Sequence, residues 1–269
     1  MAKVFVIDVA RCSGCHNCQL SCKDEHCEND WRPYAAPQPA TGQFWCRVQD
    51  HPRGTIPKVK VHYLPHLCNH CADAPCIKAG EGAVYRRPDG LVVIDPEKAV
   101  GNKALAESCP YGAIWWNEEL GLAQKCTGCA HLLDHGHKMP RCVEACPTDA
   151  MRFGEEEELA ELLKDAVVLH PEFGTRPRVY YRNIPGCFVG GLVYDPVEEE
   201  VLIGAKVTLT MGDVVLETTT DDFGDFWFKE LPEGECAVTI SMEGYQSQTF
   251  PGLVTAQCPN LGDIPLERL

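Results

Sequence analysis

Apolar and polar residues alternate over several short segments in the first two thirds of the chain. Residues 2–8 alternate as a strand, and residues 83–95 predict a β-hairpin that turns at Pro-Asp-Gly. Residues 155–165 predict a short amphipathic helix whose acidic residues lie at its N-terminus. Residues 23–67 form a long irregular stretch, and residues 175–182 are extended. Long loops within a domain are usually functional or packed against a partner.

From about Gly186 the apolar residues follow the spacing of short strands. The turn signals between these strands are Asp-Asp-Phe-Gly, Leu-Pro-Glu-Gly and Glu-Gly-Tyr. Together they predict a small all-β sandwich or barrel of about 80 residues. The predicted strands cover residues 201–210, 214–220, 225–228 and 236–242.

Composition narrows the classes of function. The chain has 269 residues, 45% of them hydrophobic, and a formal charge of −15. That charge disfavours nucleic acids and anionic membrane surfaces as partners. No apolar run approaches the roughly 18 residues that span a membrane, and the first residues predict a strand, not a signal peptide. We therefore expect a cytoplasmic protein that does not insert into a membrane, unless it is exported together with a partner subunit.

The seventeen cysteines allow two interpretations, a disulfide-rich secreted protein or a metalloprotein in a reducing compartment. Fourteen of them precede residue 150, mostly in Cys-x-x-Cys clusters. The first run is Cys12-Ser-Gly-Cys15-His16-Asn-Cys18-Gln-Leu-Ser-Cys22. In bacterial two-cluster ferredoxins this spacing, ending in Cys-Pro, holds iron–sulfur cubanes, and the fourth cysteine ligates the other cluster. Metal ligation is therefore favoured over disulfides. If the first run donates its fourth cysteine to another cluster, a second cysteine run must donate one in return.

Crossed pairing of the cysteine runs assigns twelve cysteines to three cubanes. The last run, which ends in Cys146-Pro147, pairs with the first; the middle run pairs with Cys109-Pro110. The predicted ligand sets are Cys12, Cys15, Cys18 and Cys146 (set 1), Cys22, Cys126, Cys129 and Cys142 (set 2), and Cys68, Cys71, Cys76 and Cys109 (set 3).

A fourth cluster site is predicted to be erased. The same spacing places its ligands at Gly80, Ala99, Asn102 and Leu105, and none of these is cysteine. Random loss would rarely remove one whole set and spare the other. The sequence therefore predicts three clusters.

Other ligand chemistries fit the pattern less well. Cys12-Ser-Gly-Cys15-His16 matches a haem attachment motif, but it lies inside a four-cysteine ferredoxin run. Zinc suits an isolated Cys-x-x-Cys pair and gives no reason for crossed runs. Histidines near the runs are expected to pack or to hydrogen-bond to sulfur: His16, His66, His70, His131, His135 and His137. Five cysteines remain as expected buried free thiols: Cys27, Cys46, Cys187, Cys236 and Cys258.

Over about residues 3–182 the chain resembles the iron–sulfur subunits of molybdopterin enzymes related to dimethyl sulfoxide reductase. The resemblance rests on the four ordered runs, among them His66-Leu-Cys-Asn-His-Cys-Ala-Asp-Ala-Pro-Cys76 and Cys109-Pro-Tyr-Gly-Ala. Most members carry four clusters, so the erased site is a departure. The lack of a fourth site resembles the small subunits of pyrogallol–phloroglucinol transhydroxylases, which also carry an added β-domain. So does the segment Gln124-Lys-Cys-Thr-Gly-Cys-Ala-His-Leu-Leu-Asp134.

The C-terminal part resembles transthyretin-like or carboxypeptidase-regulatory-like domains, through Gly204-Ala-Lys-Val-Thr-Leu209 and Thr220-Asp-Asp-Phe-Gly-Asp-Phe-Trp-Phe228. The two resemblances imply an α+β fold with two domains. Residues 1–185 would form a ferredoxin-like multi-cluster domain, built from two bis-cubane units with one site lost. Residues 186–269 would form a transthyretin-like or Ig-like β-domain for docking or stabilisation, with ligand binding the less favoured role.

The resemblance implies an electron-transfer subunit with three [4Fe-4S] clusters and no catalytic residues of its own. Its partner would be a large catalytic subunit that carries molybdenum with two pterin guanine dinucleotides and acts on phenolic hydroxyls. The same relay in a reductive catechol dehydroxylase, or in another molybdopterin oxidoreductase, stays open. So do a free polyferredoxin and a structural subunit whose clusters only hold the fold together.

Overall fold

The computed structural model describes residues 2–269, which divide into two compact units. The first unit runs to Asp50 and resumes over His62–Ile184. The second comprises His51–Val61 and Pro185–Leu269. The sequence placed residues 51–61 in the first domain, whereas in the structure they pack with the second unit.

The described chain is mostly β with a few short helices, so the helical part of the expected α+β fold is small. The longest α-helix has ten residues. Up to Ile184 the elements are β1 (Lys3–Asp8), α1 (Asn17–His26), β2 (Arg47–Thr55), β3 (Lys58–His66), α2 (Pro75–Ala79), β4 (Val84–Arg86), β5 (Val92–Ile94), α3 (Ala104–Glu107), β6 (Ile114–Asn117), β7 (Leu122–Lys125), α4 (Ala130–Asp134), α5 (Arg141–Glu144), β8 (Met151–Glu155), α6 (Ala160–Leu163) and β9 (Val179–Arg182). They continue with β10 (Cys187–Asp195), β11 (Glu200–Val201), β12 (Lys206–Met211), β13 (Val214–Thr219), β14 (Asp225–Leu231), β15 (Glu235–Ser241), β16 (Gln248–Val254) and β17 (Asn260–Pro265).

A three-stranded sheet with β1 in its centre organises the first unit. Strand β8 pairs with β1 antiparallel, with Phe5 opposite Phe153, and β9 pairs with it parallel, with Phe5 opposite Val179. The four central residues of β1 are all buried. The predicted strand at the N-terminus is confirmed, and this sheet ties it to chain segments about 150 residues away in sequence.

Three two-stranded hairpins complete the strands of this part of the chain: β2–β3, β4–β5 and β6–β7. The predicted hairpin over residues 83–95 is confirmed as β4–β5, with Val84 opposite Ile94. Its turn needs Gly90, whose φ of +86° places it in the left-handed region.

Two predictions of local structure in the first unit are wrong. The stretch over residues 23–67 is not irregular throughout, because α1 extends to His26 and residues 47–66 contain β2 and β3. Within the predicted helix over residues 155–165, the structure has only the four residues of α6 in an α-helix. The acidic residues at the start of this range form a turn instead. There the Glu158 carboxylate accepts the N–H of Glu155, the last residue of β8, at 3.0 Å.

The second unit is a β-sandwich of two four-stranded sheets. One has the order β11–β10–β14, with β17 also paired to β10; the other has the order β13–β12–β15–β16. Alternate residues of the paired strands β12 and β15 (Val207, Leu209, Val238 and Ile240) are fully buried, in one apolar core with Val193 and Phe226 of the other sheet. The predicted strand over residues 201–210 is split into β11 and β12, and β10, β16 and β17 were not predicted.

Candidate metal centres

The cysteine loops share one backbone geometry. In Cys12-Ser-Gly-Cys15 and in Cys126-Thr-Gly-Cys129 the glycine has a φ of +67° or +64°. A Cβ on Gly14 would lie 2.5 Å from the Tyr63 ring, and one on Gly128 would lie 2.8 Å from Leu91. Glycine is therefore required at both positions by conformation and by space.

This loop geometry points a backbone N–H at the preceding cysteine sulfur, two residues back. The N–H of Gly128 donates to Cys126 Sγ at 3.3 Å, and that of His70 donates to Cys68 Sγ at 3.5 Å. Burial raises the pKa of Cys12 and of Cys109, and the same i to i+2 bond, from Gly14 and from Tyr111, opposes that rise. Such bonds favour sulfur that carries negative charge, as it does when it binds iron.

The structure brings the four thiols of set 1 together. Burial raises the pKa of Cys12, and the charges of Cys18, Cys146 and Cys15 raise it further. Thiols interact in this way only at close range. The set lies near the surface, since Cys15 is exposed and Cys146 is half-buried.

The four thiols of set 2 are also brought together, deeper in the unit. Cys22 is 5% exposed, and burial raises its pKa well above the usual range. Cys126, Cys142 and Cys129 add to that rise, in this order. Iron would therefore have to displace protons from these buried thiols on binding.

The four thiols of set 3 line one cavity, together with apolar residues and Lys125. Burial raises the pKa of both Cys71 and Cys76 to about 11, and charges on the other members of the set contribute to the rise. The Thr175 hydroxyl hydrogen-bonds to Cys71 and opposes that rise.

These donors fit iron–sulfur clusters. Each set supplies four cysteine sulfurs, and each includes a sulfur that accepts a backbone N–H. Across residues 2–269, no group of three or more His, Cys, Asp or Glu side chains could hold one metal ion. The ligands of a single zinc ion must all lie about 2.3 Å or less from it, whereas cubane ligands bind different iron atoms.

Set 2 lies next to each of the other two sets. The thiol of Cys46, which was expected only to be a buried free thiol, hydrogen-bonds to Cys18 of set 1 and to Cys142 of set 2. Cys68 of set 3 in turn raises the pKa of Cys126 of set 2. Set 2 therefore lies between the other two.

The four positions of the erased site also come together, around a small apolar core. Ala99 and Leu105 are fully buried in the cluster that includes Val84 and Ile94. The amide of Asn102 bridges the two segments, since it donates to Ala79 O at 3.0 Å and accepts the Leu105 N–H at 3.2 Å. A Cβ on Gly80 would lie 2.5 Å from Val84. Side chains fill the place where a fourth ligand set would stand.

The histidines near the runs hydrogen-bond mainly to groups other than sulfur. His131 Nε2 hydrogen-bonds to Glu25 at 2.9 Å, and His70 Nδ1 accepts the Val92 N–H at 3.0 Å. The imidazole of His26 lies beside a proposed ligand sulfur, with its Nε2 4.0 Å from Cys129 Sγ. His26 was not among the predicted histidines, since it lies in α1, away from the Cys-x-x-Cys pairs.

Three further residues reach the ligand sulfurs without having been predicted to do so. Lys125, Cys46 and Thr175 come from distant parts of the chain, and only Lys125 lies next to a cysteine run. Of the five leftover cysteines, Cys46, Cys236 and Cys258 are buried as expected. Cys27 and Cys187 are only half-buried.

Comparison with known proteins gives matches to both units. A model of the 4Fe-4S dicluster domain matches residues 59–156, and a model of the carboxypeptidase regulatory-like domain matches residues 189–266. The chain is similar to the pyrogallol hydroxytransferase small subunit of Pelobacter acidigallici, at 43% identity over 97% of this chain and 98% of the relative.

Two other relatives match only part of the chain. A sulfite dehydrogenase subunit of Allochromatium vinosum is 36% identical over 66% of this chain and 81% of its own length. An anaerobic dimethyl sulfoxide reductase chain of Escherichia coli is 34% identical over 64% of this chain and 90% of its own length. Among residues 2–269, no helix is long and apolar enough to cross a membrane.

Proposed function

Because this protein belongs to the family of iron–sulfur electron-transfer subunits of molybdopterin enzymes related to dimethyl sulfoxide reductase, we propose that it holds three [4Fe-4S] clusters as a linear relay. The ligands would be sets 1, 2 and 3. The observation that carries this proposal is the contrast between three groups of four thiols and a fourth group of positions filled by an apolar core.

The order of the sets supports a relay. Each cluster supplies a centre that gains or loses one electron with little movement of its ligands. The chain's own contribution is to fix the sulfurs on tight loops, to direct N–H groups at them and to bury set 2 between its neighbours. Set 2 could then pass electrons between set 1 and set 3.

We further propose that the partner is a large catalytic subunit carrying molybdenum with two pterin guanine dinucleotides. The similarity to a pyrogallol hydroxytransferase small subunit over nearly the whole chain supports this. The partner's chemistry would be hydroxyl transfer between phenolic rings. The second candidate is reductive dehydroxylation of a catechol, which consumes two electrons and which the linear arrangement of the sets would serve directly.

The test is anaerobic isolation of the tagged full-length chain from cells that also express its natural partner. A relay subunit co-purifies with a large molybdenum protein, and its clusters are reduced by dithionite and during turnover. Isolation of a stable chain without a partner would favour a free polyferredoxin. Clusters that neither dithionite nor turnover can reduce would leave only a structural role.

A further inference from the structure

A lysine is buried between two of the proposed ligand sets. Lys125 is 2% exposed and is one of the largest fully buried side chains among the described residues. It ends β7, where it lies opposite Ile114 of β6, and it immediately precedes Cys126 of set 2. Burying an ammonium group is costly unless hydrogen bonds or opposite charges compensate for the loss of water.

Hydrogen bonds account for only part of that compensation. The Nζ of Lys125 donates to the carbonyl oxygens of Val92 and Cys126, the second at 3.1 Å. Both acceptors are neutral, so they satisfy the N–H groups without cancelling the charge. The Val92 peptide is itself fixed, since its N–H donates to His70 Nδ1 at 3.0 Å.

Cysteines of two proposed sets lie close to the Lys125 side chain. Lys125 lines the same cavity as all four cysteines of set 3. Its charge opposes the burial that raises the pKa of Cys76 and Cys109, both in set 3, and of Cys126 in set 2. For Cys12 of set 1 the causes of the raised pKa do not include Lys125. The charge therefore acts on sets 3 and 2.

We propose that Lys125 is a positioning residue of the relay, whose buried positive charge raises the reduction potential of the cluster at set 3, and to a smaller extent that at set 2. Reduction adds one negative charge to a cluster, and a nearby positive charge in a medium of low dielectric stabilises the reduced state. Transfer of one electron from the cluster at set 2 to the cluster at set 3 would oxidise the first and reduce the second by one electron each, with no bond made or broken and no proton moved. The charge of Lys125 would therefore favour an electron on the cluster at set 3 over one on the cluster at set 2. This inference rests on the proposed function.

The experiment is a redox titration of the full-length chain in its complex, followed by electron paramagnetic resonance. Lys125→Met removes the charge and keeps most of the side-chain volume. Lys103→Met is the matched control, because it removes the same charge from an exposed side chain that pairs with Glu118. The Cys109→Ser variant identifies which signal belongs to set 3. We expect Lys125→Met to lower the potential of set 3 most, set 2 less and set 1 least, beyond any shift in Lys103→Met.

Equal shifts at all three clusters, or a set 3 potential unchanged from that of Lys103→Met, would overturn the proposal. If Lys125→Met loses iron, Lys125→Gln and Lys125→Arg replace it. Both can donate to the two carbonyls, but only arginine keeps the charge. A lower potential at set 3 in the glutamine variant than in the arginine variant would support the role of the charge. Equal potentials, or loss of iron from both variants, would mean that the lysine has only a structural role. Iron content tests the three-cluster proposal separately.

Discussion

Four of the proposed ligand cysteines, Cys12, Cys68, Cys109 and Cys126, accept an N–H from the residue two positions onward. At Cys68 and Cys126, glycine or another residue with positive φ makes the turn. Cys27 also lies near a run, but it is half-buried at the end of α1, where its N–H donates to Lys23 O at 2.7 Å. The structure gives Cys27 no such N–H bond to its sulfur among the hydrogen bonds of the described residues.

Cys109→Ser should perturb one cluster only. The four thiols of set 3 share a cavity that holds no cysteine of sets 1 or 2, so the other clusters should keep their signals. Electron paramagnetic resonance of the reduced protein and iron analysis measure the effect. Cys27→Ser is the control and should leave iron unchanged. Loss of all three signals in Cys109→Ser would show that the assignment of ligands to sets is incorrect.

Asp195 is the corresponding test of a single residue in the β-sandwich. Its side chain is 2% exposed and accepts the N–H groups of Val197 and Glu198, the Tyr245 hydroxyl and Arg268 Nε, at 2.7–3.2 Å. Burial alone would raise its pKa, but these donors outweigh burial and hold the pKa at about 2. The carboxylate therefore stabilises the fold above its ordinary pKa of 3.8, and that stabilisation is lost as the pH falls towards 2.

We expect Asp195→Asn to speed hydrogen exchange of the β10 amides at pH 7 relative to the natural chain. The difference should narrow near pH 3. Asp213→Asn changes an exposed aspartate in a turn and should have little effect at either pH. A difference that widens on acidification would contradict the low pKa assigned to Asp195.

Among the elements, the short helices α2 and α3 border or contain the positions predicted for the ligands of a fourth cluster. The two helices are joined through Asn102, which bonds to the last residue of one and the second residue of the other. Leu105 of α3 is fully buried in their shared apolar cluster. The helices are too short to be stable alone, so this packing holds them.

Leu105→Ala should therefore destabilise the protein without removing iron. Truncating a buried leucine typically costs about 2–5 kcal/mol because it leaves a cavity. Thermal unfolding and iron content measured on the same sample would show a lower Tm with unchanged iron. Leu120→Ala, at a position that is 40% exposed, is the control and should change Tm little. Loss of iron from Leu105→Ala alone would mean that this core supports a cluster directly.

The sequence predicts those features that depend on local spacing. The alternation in β1 and the Pro-Asp-Gly turn before Leu91 follow from neighbours in the chain. Other contacts cannot be read from neighbouring residues. Lys125 reaches set 3 because β7 pairs with β6, and Cys46 reaches two sets from a loop. The β2–β3 hairpin carried a signal, Lys-Val-Lys-Val over residues 58–61, that the surrounding Pro and aromatic residues obscured.

On the scale of the whole molecule, two units with separate cores serve separate purposes. The unit that contains sets 1–3 places every proposed ligand, and the sandwich contains none of them. The chain carries a formal charge of −15 before any thiolate is counted.

The central claim is that this chain holds three cubanes and that its fourth site is filled by side chains. Iron and acid-labile sulfide per full-length chain, determined on anaerobically isolated protein with native mass spectrometry to assign them to this subunit, test it most directly. We expect about twelve iron and about twelve sulfide per chain, four of each per cluster. A value near sixteen would contradict the erased site, and a value near eight would contradict one of the three ligand sets.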